Sequence, residues 1–457
     1  MLLGEVFEQF VKESPVCVMV RGTLEHALPA SFVDELFEET AEKQYTHDLL
    51  FSQIVDVLGC VVGQVHPSVN AAYQRRREQF TVSCRSVYNK INKVEPPVSR
   101  ELVRRSGERL AGVIDELGGL RASPLPGYEV RILDGNHLPA SEHRLKELRT
   151  IAAGPLPGQA LVVLDPQRML VTDVFPCEDA HAQERSILVE VVERLQPNIV
   201  WIADRNFCTP LWLWELALNR AFFIVRQHAT NVPCQSTGRR KRVGRTDTGT
   251  VYEEPVQTTD DCGQVLSLRR ITIELDEPTS DGDTQIHLLT NLPRQVKATR
   301  IADAYRGRWT IEGAFLDLAT VLNSEITSLG YPPAALFGFC VALVAFNILS
   351  VVRAALRSVH GAEKIEQDVS TYYLAEEIGA VTRGMIIAIP KPHWTAAFGD
   401  CSAKEMASLL KALAKKVNLK HFQKHRRGPK KPRPKRAFHK RTPHVATARI
   451  LAERKQC

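Results

Sequence analysis

The chain has no Cys-x-x-Cys pair. Its ten cysteines are scattered singly over 457 residues, which excludes a zinc framework and a regular disulfide pattern and fits a reducing compartment. The N-terminal run MLLGEVFEQFVKE carries glutamates at 5 and 8 and no basic start followed by an apolar stretch, so no secretory signal is expected. No internal repeat is visible, which removes solenoids and propellers. Charge is missing from Ile326 to Val352, a stretch long enough to span a bilayer. Gly330, Pro332 and Pro333 interrupt its start, however, so the expectation is a buried core helix from about Ala334 and no membrane association. Acidic residues are missing from Lys420 to Arg441, where eleven lysines and arginines occur. Removing those eleven takes the formal net charge from +7 to −4, so the basicity belongs to a tail suited to a polyanion.

What is present is a long soluble chain, 44% hydrophobic and 24% charged, with room for about two to four domains. Residues 1–120 carry helical periodicity in four runs: 29–43, 47–65, 83–94 and 99–119. The third, with Ser86, Tyr88 and Lys90, has the look of a helix that enters a DNA groove, although any short basic helix shares it. Residues 121–128 read as a Pro/Gly linker. The pattern then changes. YEVRILDGN reads as a strand ending at Asp134, and GQALVVLDPQRMLVTDVFP as a hairpin turning at Asp165-Pro166. Next come an amphipathic helix, the buried strand NIVWIAD ending at Asp204, a helix and the buried strand AFFIVRQH. After Gln227 a β-rich region runs to Pro293 and holds a basic loop with Arg239, Arg240, Lys241 and Arg242.

Ile301 to Phe315 reads as one helix. Tyr305, Arg308 and Glu312 are spaced by three and four residues and share a face, while Ala304, Ile311, Phe315, Leu318 and Leu322 form an apolar stripe beside them. Each acid alone has a plain alternative: Asp134 in a turn, Asp204 as a cap, Glu312 in a surface ion pair. Taken together, the β-β-β-α-β-α-β order describes a ribonuclease H-like mixed sheet whose first and fourth strands are neighbours, so acids ending both would lie side by side. A third acid from a later helix would complete an oxygen cage of the kind two-metal phosphoryl transfer uses.

The set LDGNH, ADRNF and YRGRWTIEGAF, with TNLP before the last, resembles the DDE transposases of bacterial insertion sequences, specifically insertion-sequence family four. Its signature is Tyr, two residues, Arg, three residues, Glu, six residues, Lys. The resemblance covers about 129–350 and implies a metal-dependent enzyme that cuts element ends and joins them to target DNA. Asp134, Asp204 and Glu312 would be the catalytic acids and ligands of two Mg²⁺ ions (Mn²⁺ substituting), and Tyr305 and Arg308 would grip DNA. A homodimer on DNA in the bacterial cytoplasm, at the nucleoid, is implied. The lysine position of the signature holds Ala319, so a phosphate contact is missing. A catalytically idle DNA-binding protein and a ribonuclease H-like nuclease remain the alternatives. The expected layout is a helical N-terminal domain (1–120) that could bind DNA ends, a first core segment (129–228), a β-rich insertion (229–293), a second core segment (294–410) and a basic tail (411–457). Arg239, Arg240, Lys241 and Arg242 in the insertion, with Lys430, Lys431 and Arg433 in the tail, are the further candidate DNA contacts.

Overall fold

In the computed structural model, which describes residues 3–428 apart from 47, 151, 229, 261–262, 280–281 and 426–427, seven α-helices open the chain. They are α1 (Glu8–Glu13), α2 (Pro15–Ala27), α3 (Ala30–Thr40), α4 (Phe51–Val62), α5 (Val69–Arg75), α6 (Cys84–Ile91) and α7 (Pro96–Leu117). Proline fits the first turn of α2 and α7 because its missing N–H is unpaired there in any helix. The left-handed Gly118 (φ 64°) closes α7, a conformation glycine adopts without a Cβ clash. The periodic runs mark α3, α4, α6 and α7 but not α2. That helix is buried on most of its surface, so its sequence lacks the polar face that reveals an amphipathic helix. On α6, Lys90 donates to the Tyr45 carbonyl (2.8 Å) and lies over the Phe37 ring, which ties it into the helical layer.

The strands are β1 (Glu129–His137), β2 (Gln159–Asp165), β3 (Leu170–Cys177), β4 (Ile199–Ala203), β5 (Phe222–Arg226), β6 (Gln235–Ser236), β7 (Lys241–Thr246), β8 (Gly249–Thr259), β9 (Val265–Leu275) and β10 (Gln285–Thr290). Helix α8 (Glu184–Val192) connects β3 to β4, and α9 (Pro210–Leu218) connects β4 to β5. They form one mixed sheet in the order β3-β2-β1-β4-β5-β10-β9-β8-β6, with β7 paired to β8. β2 and β3 are the expected hairpin, and β1 lies antiparallel to β2 and parallel to β4. This strand order and mixed pairing fit a ribonuclease H-like core. The strands of 229–293 do not close on themselves, because β10 pairs with β5 and carries the sheet onward. The basic stretch expected as a loop is partly strand: Lys241 and Arg242 start β7, an edge whose charged side chains discourage further pairing.

Two corrections fall at the site. Strand β1 does not end at Asp134 but continues to His137, held by pairing with β2 as far as Gln159. The single helix expected over Ile301–Phe315 is two, α10 (Ala298–Arg306) and α11 (Trp309–Thr320). At the junction Arg308 N bonds to Tyr305 O (2.9 Å) and Thr310 N to Gly307 O (3.0 Å), so the ladder tightens to i→i+3 where glycine weakens the helix.

Helix α12 (Pro332–His360) is the apolar stretch. Its most hydrophobic window is 94% buried inside the protein, as a core helix requires. It packs on α2, α4, α7 and β3, and on α13 (Ala362–Asp368) and α16 (Ala403–Ala414), with α14 (Thr371–Ala388) and α15 (Lys391–Trp394) between the last two. The fully buried Asn347 of α12 pairs with the free edge of β3: its Nδ2 donates to Val171 O (2.8 Å) and its Oδ1 accepts from Val171 N (2.7 Å). Arg100 of α7 forks onto Asp173 of the same strand with two bonds of 2.9 Å. The opening helices therefore pack against the sheet within one compact unit, Met1–Gln423. The tail positions Lys430, Lys431 and Arg433 lie outside the described residues.

Candidate active site

The parallel pairing of β1 with β4 runs in register to Leu133 opposite Ala203. Asp134 and Asp204 are the next residues on the two chains, so the sheet places two carboxylates side by side, Asp204 just past the end of β4 and Asp134 within β1. Asp134 Oδ1 accepts from the Gly135 N–H (3.0 Å). Asp204 leaves the strand and caps a short 3₁₀ turn, its Oδ1 accepting from Asn206 N (2.7 Å).

Glu312 reaches the same place from α11. The guanidinium of Arg308 joins the two elements, with Nη1 donating to Asp134 Oδ2 (2.9 Å) and Nη2 to Glu312 Oε1 (2.8 Å). Asp134 and Glu312 thus stand one guanidinium apart. Tyr305, from the last turn of α10, is 8% exposed and contacts Arg308. The stripe beside these residues docks as expected: Ala304, Ile311, Leu318 and Leu322 are buried, and Phe315 packs against the core from a half-buried position.

The electrostatics are those of a crowded acidic pocket. Burial pushes the Asp134 carboxyl up to about 7, and the fields of Asp204 and Glu184 push the same way, while Arg308 and the Gly135 N–H pull it down. Burial lifts the Tyr305 hydroxyl to about 12, so it stays a neutral donor at ordinary pH. Burial alone would lower Arg308, but Tyr305, Asp134, Glu312 and Asp204 around it raise it and keep it charged. Its Nε is buried without a partner.

A fourth acid, Glu184, was not singled out from sequence. It opens α8, and its Oε2 accepts from the Asn206 side chain (2.5 Å), with His137 at 3.8 Å from Oε1. Its carboxylate fills the space beside Gly135, where a Cβ would sit 2.0 Å from Oε1. Asn206 and His137 belong to ADRNF and LDGNH, and their place in those motifs is the sequence signal that could have marked them. Glu184 offers no such signal, since an acid in the first turn of a helix is ordinary.

The functional groups are oxygen donors with one bridging cation, the chemistry of a hard divalent ion rather than of zinc. Among the described residues no three His, Cys, Asp or Glu side chains close on a point as ligands would. The guanidinium between Asp134 and Glu312 shows that this gap accepts positive charge, so the donor set fits a divalent cation in kind.

Of the other expected DNA contacts, Arg239 and Lys241 line a groove of about 640 Å³ with Arg269 and Arg294. Arg240 is engaged with Glu274 (2.7 Å) and stacks over Tyr252, and Arg242 is exposed on β7. Ala319 is exposed on α11 and shares a small pocket with Asn136 and Glu325.

Two carboxylates side by side at parallel β1 and β4, with a third from a helix, make an oxygen-donor cluster on a mixed α/β fold. Residues 125–347, just under half of the chain, match the family described as "Transposase DDE domain", and the matched span contains Asp134, Asp204 and Glu312. A protein of Sinorhizobium fredii that carries a provisional transposase name, y4zB, is 32% identical over 124 residues. That alignment covers 26% of this chain and 33% of the relative, so the match spans about a third of its length. A solved structure of a piggyBac transposase synaptic complex with hairpin DNA is similar over 86% of this chain and 84% of its own, with 10% identity and a TM-score of 0.39. The family match and the relative together support a DDE transposase.

Proposed function

We propose that this protein is a DNA transposase of the insertion-sequence family four type, which cuts the ends of its element and joins them to target DNA through Asp134, Asp204 and Glu312. The observation that carries the reading is the bridge from Asp134 through Arg308 to Glu312, set beside Asp204 and inside the span that matches the transposase domain. Asp134, Asp204 and Glu312 would hold Mg²⁺, or Mn²⁺ in its place, which supplies Lewis acidity at a phosphoryl group and lowers the pKa of water. The buried Tyr305 hydroxyl and the charged Arg308 would grip phosphates of the end, Arg308 as a planar donor. The groove of Arg239 and Lys241 would follow the duplex backbone, and the basic tail with Lys430, Lys431 and Arg433 would add affinity without sequence preference. Two ends must be held together for joining, so a homodimer on DNA is part of the proposal, acting where a bacterial chromosome is accessible.

The test is nicking of duplexes built from the DNA flanking the reading frame. Asp134→Asn, Asp204→Asn and Glu312→Gln should each abolish Mg²⁺-dependent cleavage and leave end binding within a few fold. Wild-type cutting by any of the three removes that residue from the catalytic set. One observation favours a second reading, a protein that binds ends without cutting them: the exposed Ala319 where the signature has lysine. Binding by wild type with no nicking at any Mg²⁺ or Mn²⁺ concentration decides for it.

A further inference from the structure

We propose that Arg308 is a cation placeholder that couples DNA binding to metal loading. In the DNA-free protein its guanidinium fills the gap between Asp134 and Glu312, and a phosphate of bound DNA draws it off, opening both carboxylates to the divalent ion. The inference rests on the reading above and adds what controls that site.

Arg21, between Glu25 and Asp56, makes the same kind of bridge elsewhere in the chain, so what sets Arg308 apart is where its two acids lie, one on β1 beside Asp204 and one on α11. A guanidinium and a carboxylate match as two parallel bonds, yet Arg308 spends one nitrogen on each of two acids, at 2.9 and 2.8 Å. In that position its Nε is buried and has no partner. A buried donor left unmade is costly, so the bridge is incomplete as it stands. A phosphate that accepted from Nε and one Nη would satisfy the fork. The way out is also present: Trp309, the next residue, is 63% exposed, and the guanidinium carbon is 5.4 Å from its ring centroid. That contact is already made in the bridged position, and a ring so exposed can stay with the guanidinium as it moves outward.

A singly charged guanidinium and a divalent ion cannot share one gap between two carboxylates without strong repulsion. Whatever moves Arg308 therefore raises metal affinity, and linkage requires that bound metal raise affinity for the DNA that moves it. Premature metal loading, with water able to reach it and no element end in place, is thereby suppressed.

The experiment is calorimetric titration of Mn²⁺ into the full-length, DNA-free protein, with melting temperature recorded for every variant. Arg308→Gln should bind Mn²⁺ about 10- to 100-fold tighter than wild type, the size of an ordinary allosteric coupling. Arg308→Lys keeps the charge but cannot span both acids, so it should fall between them and serves if the glutamine variant does not fold. Adding Asp134→Asn to Arg308→Gln should abolish the gain. Equal affinity of wild type and both Arg308 variants, with Asp134→Asn weakening all of them, overturns the placeholder and leaves the site reading intact. Mn²⁺ binding that ignores Asp134→Asn, or no binding by any variant, overturns the site reading and the placeholder with it.

Discussion

Replacing Asp134 by asparagine should make the metal-free protein more stable, and by an amount that depends on pH. The Asp134 carboxyl is raised from its ordinary value of 3.8 to about 7, by burial first and by Asp204 and Glu184 after it. A raised acid holds its proton more tightly folded than unfolded, so the wild type loses stability as pH climbs from about 4 to about 7, and the loss is complete above that. At about 1.36 kcal/mol per unit the full loss is roughly 4 kcal/mol. The side chain is 17% exposed, and solvent screening brings the expectation to roughly 2–4 kcal/mol. Asparagine mimics the protonated acid and escapes the penalty. Thermal melts of both proteins in EDTA should show curves nearly together near pH 4 and a gap in favour of the Asp134→Asn variant that widens to pH 7 and is then constant. Mg²⁺ at pH 8 should narrow the gap by stabilising wild type alone, and only at concentrations high enough to displace Arg308. A gap that does not change with pH, or a less stable asparagine variant above pH 7, would refute the account of the pocket as a site that stores the cost of a buried charge.

Three further perturbations test other parts of the argument. Gly135→Ala places a Cβ 2.0 Å from Glu184 Oε1, the movable end of a flexible side chain, so the carboxylate should swing off Asn206 at a cost of no more than about 1 kcal/mol in a thermal melt while nicking falls; Glu184→Ala should remove that cost, and a larger loss that Glu184→Ala does not relieve would place the clash elsewhere. Asn347→Leu leaves the Val171 N–H and carbonyl unpaired against an apolar helix, which should cost about 2–5 kcal/mol and speed exchange of the Val171 amide; unchanged exchange would mean the β3 edge does not depend on the clasp. Ala319→Lys should tighten binding to the element end by roughly tenfold or more, with a larger gain in a Glu325→Gln background because Glu325 lines the same pocket and would compete for the new charge; equal affinity in both backgrounds would show that no phosphate passes there.

The sequence made the sheet readable because buried strands announce themselves. Ile132-Leu133 before Asp134 and IVWIA before Asp204 are apolar runs that each stop at a carboxylate, although β1 itself runs on to His137. Adjacency of those ends then follows from strand order alone. The helix break at Gly307 was not readable, because Tyr305, Arg308 and Glu312 keep helical spacing whether or not the ladder tightens between them. What separates the two cases is the hold of Asp134 on Arg308, a contact 174 residues apart in the chain. Glu184 was hidden for the same kind of reason: its meaning comes from Gly135 and Asn206, not from its neighbours on α8. Helix α2 was missed for the opposite reason, too much burial to leave a polar face. Local pattern therefore reports residues whose environment is set by the next turn or the next strand position. A residue whose role is to hold two distant elements together carries an ordinary local pattern, and Arg308 is such a residue: it resembles half of a surface ion pair until the sheet brings Asp134 beneath it.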